Sequence, residues 1–140
     1  MEDKVPFPNV GEGLTAAHEA ADVAVLSGSN RQAMVDEWDC WGLLSDVDLA
    51  LSQEDGTKHM LLSQLLQKGY APDHVLMVGD DPGDQTASVR CGVLFYPIRV
   101  RWEGQDWATL INEALPRLLN GTYRDWGRER ARLFRENLQT

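Results

Sequence analysis

The stretch Val75-Leu76-Met77-Val78-Gly79-Asp80-Asp81-Pro82-Gly83-Asp84 constrains this chain more than any other. Four apolar residues run into a glycine, and three carboxylates follow within five positions. A short apolar run bounded by turn residues reads as a strand buried on both faces. Such strands belong to parallel sheets, where ligands bind beyond the carboxyl ends. Asp80, Asp81 and Asp84 would sit at that edge. Carboxylates gathered there suit a hard divalent cation such as Mg²⁺. The competing reading is local: the same acids cap the next helix and complement its dipole.

Residues 22–26, 47–51 and 93–96 read as three further strands. Helical spacing separates them, over about 14–21, 30–40, 58–68 and 83–91. Met34, Val35, Trp38 and Trp41 would face inward from the second of these helices, and Leu61, Leu62, Leu65 and Leu66 from the third. Residues 1–9, with Pro6 and Pro8, read as an extended lead-in. Beyond residue 99 comes a helical extension. Trp107, Leu110, Ile111, Ala114, Leu115 and Leu118 mark one long amphipathic helix that Gly121 ends. A last helix over 124–138 offers Ala131, Phe134 and Leu138 as a narrow stripe, and its five arginines read as a solvated face. Alternating strands and helices predict one α/β domain over residues 1–140, with a parallel sheet and right-handed crossovers.

Charge narrows the function classes. Thirteen basic and 22 acidic residues leave a formal charge of −9, which disfavours sequence-independent nucleic-acid binding and anionic membrane surfaces. Cys40 and Cys91 suggest free thiols and no disulfide framework. No apolar run reaches membrane-spanning length, and Met1 leads into no signal core. A soluble, cytoplasmic protein is the expectation.

Two further markers join the acidic cluster. Ser27-Gly28-Ser29-Asn30 closes the first strand, and free amides at a helix start form an anion site. Ordinary capping by Ser29 or Asn30 is the alternative. Lys58 opens the third helix, where its charge opposes the macrodipole at a cost of about 0.3–1 kcal/mol. A bound anion or a carboxylate would offset that cost. In a parallel sheet every strand ends on the same edge, so Ser27, Lys58 and the acids converge on one rim. A hydroxyl with free amides, an ammonium and a carboxylate–metal cluster are complementary to a phosphate group.

This set resembles three motifs of the haloacid dehalogenase superfamily. They are a strand ending in Ser27, Lys58 opening a later helix, and Gly79-Asp80-x-x-x-Asp84 after a third strand, in the family's order and approximate spacing. Residues 6–97 are similar to the C-terminal portion of that family's core domain, most of all in its phosphoglycolate-phosphatase-like hydrolases. The resemblance implies a Rossmann-like three-layer α/β/α fold and Mg²⁺-dependent hydrolysis of a small phosphate monoester. It implies that the Ser27 hydroxyl and Gly28 amide bind the phosphoryl group and that Lys58 neutralises its charge. It assigns Mg²⁺ to Asp80 and Asp84, with Asp81 sharing that role. Phosphoryl transfer rests mainly on positioning and charge stabilisation, so these parts are chemically coherent.

The family's first motif is a strand ending in two aspartates two residues apart, and it has no counterpart here. The early carboxylates are Glu2 and Asp3, followed by Lys4 and the proline-rich lead-in. The resemblance therefore implies a sheet without its central first strand, and a chain without the family's nucleophile and cap. Three structural outcomes follow: the flanking strands pair directly, a second copy or partner chain fills the slot, or the chain is a marginal fragment. Three functional readings follow as well. They are a phosphohydrolase completed by another segment, a catalytically silent phosphate- or Mg²⁺-binding module, and an assembly module built on open sheet edges.

Overall fold

Four short parallel strands and seven α-helices alternate along the chain in the computed structural model, which describes residues 8–27 and 30–139. The strands are β1 (Ala24–Leu26), β2 (Leu49–Leu51), β3 (Leu76–Gly79) and β4 (Leu94–Pro97). Helices α1 (Val10–Ala20), α2 (Arg31–Cys40), α3 (Lys58–Gln67) and α4 (Pro82–Cys91) precede, separate and connect them. Helices α5 (Glu103–Thr109), α6 (Leu115–Asn120) and α7 (Tyr123–Leu138) follow β4. Among the described residues no helix is long and apolar enough to cross a membrane, and Cys40 and Cys91 are free.

The helices that follow β1, β2 and β3 each start at a side-chain cap. Asn30 caps α2 by accepting from the Ala33 N–H at 2.8 Å, and Thr57 caps α3 by accepting from Met60. Asp81 and Asp84 form a reciprocal capping box on α4, with Pro82 in its first turn. Gly92 then ends α4 at φ +74°, a left-handed conformation that favours glycine.

One sheet was expected, and two are present. β1 pairs with β2 and β3 pairs with β4, both parallel, and no ladder joins β1 to β3. Direct pairing of the flanking strands is thereby set aside. A cleft of about 1580 Å³ lies between them, lined by β1 and β3 and by Leu62 of α3 and Leu110, Leu115 and Leu118 of the C-terminal segment.

The core is built on β3 and β4. One face of this pair, with Leu94 and Tyr96, packs against Leu110, Ala114, Leu115 and Tyr123. The opposite face, with Met77 and Phe95, packs against Leu62, Ala87 and Phe134. A smaller cluster of Val10, Leu14 and Leu43 sits under α1, flanked by the half-buried Trp38 and Trp41.

The extension beyond residue 99 departs from the sequence reading in two ways. The long helix is interrupted by a π-helical segment over Leu110–Ala114. Pro116 explains the break, because it has no N–H to donate to the carbonyl four residues back. The last helix is also less solvated than its arginines suggest. Arg130 is nearly buried and, with Arg99, binds the fully buried Asp106. Phe134 is buried as expected, whereas Leu138 is exposed.

Candidate functional site

The three sequence markers follow three different strands, and the structure brings two of them into contact. Lys58 is the first residue of α3, and its ammonium pairs with Asp84 Oδ1 in the first turn of α4. The Asp84 side chain is 3% exposed and that of Lys58 is 34% exposed. A carboxylate this buried needs a partner, and a lysine at a helix start needs an anion. Each therefore answers the other. The contact also places the carboxyl-terminal connections of β2 and β3 on one rim.

Gly79 makes room for this arrangement. A Cβ added there would lie 2.7 Å from Asp84 Cβ and Cγ and closer still to Asp84 Oδ2, distances that real Cβ atoms do not show. The Asp84 carboxylate thus lies directly on the last residue of β3. Its Oδ2 accepts the Asp81 N–H at 3.2 Å, while Asp81 Oδ1 accepts the Gly83 N–H at 2.7 Å. The capping expectation therefore describes Asp81 and half of Asp84. Asp80 is exposed at the rim.

Ser27 follows β1 and is half-buried. Its N–H donates to Leu51 O at 2.9 Å, which carries the β1–β2 ladder one step past the strand. Gly28, expected to offer an amide to phosphate, and Ser29 lie outside the described residues.

Sequence reasoning missed a second ion-paired cluster on this rim. The Arg31 N–H donates to Glu54 at 2.9 Å and its guanidinium to Asp55 at 2.9 Å, joining the start of α2 to the loop after β2. Ser52 is fully buried; its hydroxyl donates to Glu54 and its N–H to Asp55. The Ser52 N–H, more than Arg31, holds the Asp55 carboxyl below its ordinary value. The available signal was Arg31 itself, a second cation opening a helix. His18 lies 3.3 Å from Asp48, a pairing that their spacing along the chain conceals.

Among the described residues no group of three or more His, Cys, Asp or Glu side chains converges to hold a metal ion. The donor set still has the right chemistry for Mg²⁺. This ion keeps several waters and needs one or two carboxylates plus oxygens of a bound phosphate. Asp80 could offer an exposed carboxylate, and Asp84 retains acceptor capacity on both oxygens beyond the bonds described. Together the rim presents an ammonium, a hydroxyl and carboxylates at the ends of parallel strands. Compared with protein-family models, curated proteins and solved structures, the chain finds no match.

Proposed function

We propose that this rim is the phosphate-handling part of a haloacid dehalogenase-type, Mg²⁺-dependent phosphohydrolase acting on a small phosphate monoester. In this reading the two strand pairs are halves of one Rossmann-like three-layer α/β/α sheet. The single observation that carries the proposal is the Lys58–Asp84 pair. A lysine in the first turn of a helix reaches a nearly buried aspartate of another helix, both following parallel strands. The pair answers both charges locally; what favours a task is its place, since it joins the carboxyl-terminal connections of two parallel strands, where such sheets bind ligands.

The residues divide that task by their chemistry. Lys58 would offset charge on a bound phosphoryl group, and the Ser27 hydroxyl would donate to it. Asp80 and Asp84, with Asp81 nearby, would hold Mg²⁺. When bound, the cation would neutralise charge on phosphate oxygens. Covalent transfer further requires an activated nucleophile. The rim acids already have other engagements: Asp81 caps α4, Asp84 binds Lys58, and Glu54 and Asp55 hold Arg31. This favours a second reading, in which the chain binds phosphate and Mg²⁺ without turnover until a carboxylate is supplied from another segment.

A thermal-shift titration with inorganic phosphate and Mg²⁺ tests the binding common to both readings. Wild-type protein should gain Tm, and Lys58→Met should abolish the gain while remaining folded by circular dichroism. An unchanged wild-type Tm overturns the proposal. Release of phosphate from an aryl phosphate then separates the readings. Turnover lost in Asp80→Asn supports the hydrolase; binding without turnover supports the silent module.

A further inference from the structure

The cleft between β1 and β3 is bounded by two strand edges whose unpaired backbone groups can be identified. In β1, Ser27 donates to Leu51 O and Val23 O accepts from Leu49, so residues 23, 25 and 27 face β2. Strand alternation turns the backbone groups of Ala24 and Leu26 the other way, into the cleft. In β3, Val75 O accepts from Leu94 and Gly79 O from Ile98, so residues 75, 77 and 79 face β4. Leu76 and Val78 therefore face the cleft from the other wall.

Two ties across the molecule align these edges. At the amino end, the Tyr70 hydroxyl before β3 donates to Asp22 just before β1. At the carboxyl end, Lys58 after β2 pairs with Asp84 after β3. Since β1 and β2 are parallel, β1 and β3 run in the same direction on either side of the gap. The lining is mainly apolar, including Val25, Leu62, Met77, Leu110 and Leu115. The charged lining residues are three acids, Asp22, Glu37 and Asp48, against one lysine, Lys68, beside His18 and His74. Asp22 and Asp48 lie where β1 and β2 begin.

We propose that this cleft receives one extended strand of another polypeptide, parallel to β1 and β3, with a continuous apolar run preceded by basic residues. A central strand of a parallel sheet is covered on both faces, which demands the apolar run. Its alternating N–H and C=O groups would satisfy Ala24 and Leu26 on one side and Leu76 and Val78 on the other. The acids at the amino end of the cleft select the basic lead. Docking by strand addition takes affinity from the ladder bonds and specificity from the side-chain environment. The proposal concerns the cleft alone and stands without the phosphate reading.

The test uses the full chain and a fluorescein-labelled synthetic peptide of two lysines followed by five alternating valines and isoleucines. The control is the same peptide N-methylated at every second apolar residue, which keeps its hydrophobicity and removes ladder donors. Anisotropy should show saturable binding by the first peptide and at least ~tenfold weaker binding by the second. NMR hydrogen exchange should show new protection at the Ala24, Leu26, Leu76 and Val78 amides. No binding, equal binding of both peptides, or protection confined to other amides overturns the proposal. So does a dimer at the lowest concentration with those amides already protected, since a second copy would then own the cleft. Neither readout involves phosphate or Mg²⁺, so failure here and failure of the phosphate reading are separate results.

Discussion

The two strand pairs are alike in length and direction but unlike in what covers them. β4 is buried at all four positions, whereas β2 is half-buried at all three. The β3–β4 pair is packed on both faces by the two larger clusters. The β1–β2 pair contributes Leu26 to one of those clusters and buries Val25, and its flanking segments are tied by Tyr70–Asp22 and Arg31–Glu54. The outer edge of β4 is closed as well: the Tyr123 hydroxyl caps Phe95 O, and Pro97 has no N–H to offer. The difference teaches where the stability resides. The second half of the chain is covered on both faces and at its outer edge and opens only where β3 meets the cleft, while the first half is less covered throughout.

Breaking the covered half should cost most. Asp106 is fully buried and accepts from the Arg99 N–H, the Arg99 guanidinium and Arg130 Nη2. Asp106→Ala leaves two nearly buried guanidinium groups uncompensated and should lose about 3–5 kcal/mol, read as a shifted midpoint in urea. Phe95→Ala should cost about 3–5 kcal/mol, because its ring meets Phe134 edge-on in the core. The matching change in the open half, Leu26→Ala, should cost less than about 2 kcal/mol, below the range for fully buried leucines. Equal midpoints for those two variants would erase the contrast between the halves.

At the rim the expected change is smaller and more selective. Gly79→Ala forces the Asp84 carboxylate off its seat and should cost about 1–3 kcal/mol. It should also remove the phosphate-dependent gain in Tm, whereas Gly11→Ala, in α1 with nothing nearer the added methyl than Leu43 Cδ2 at 3.9 Å, should leave that gain intact.

Acid and alkali should separate the halves last. Burial pushes the Tyr96 phenol up to about 12 from 10.0, so the folded state favours its neutral form. The stability this contributes is whole below pH 10 and is lost as pH rises toward 12. Alkaline denaturation followed by circular dichroism should show a loss in that window that Tyr96→Phe reduces, the remainder belonging to Tyr123, also raised by burial. Asp55 has the opposite sign. Its carboxyl is held below 3.8, so its contribution is present at neutral pH and is lost as pH falls below that value. Asp55→Asn should flatten that part of the acid titration, the smallest effect in the series.

The strands were legible because each is a short apolar run bounded by turn residues, and all four formed on or beside the expected positions. The Lys58–Asp84 contact was legible as a convergence, because strands of one direction deliver their loops to one edge. The separation into two pairs was not legible: one sheet was expected, and the resemblance left open whether the strands on either side of the absent one would pair. That outcome depends on a cleft lined by Leu62, Leu115 and Leu118, residues distant in the chain. Arg130 was misjudged because its partner, Asp106, lies 24 positions away on another helix. The π-helical break was signalled by Pro116, which the apolar spacing overrode.

The closed outer edge of β4 has a consequence for stoichiometry. An open sheet edge is a template, because each added strand presents a fresh edge to the next. Here β4 is capped, and β2 turns only Ala50 outward, since Leu49 and Leu51 face β1. The inner gap lies between two edges, so the strand proposed to enter it would complete both ladders and expose no new one. Association of that kind would have a valence of one and end in a finite complex.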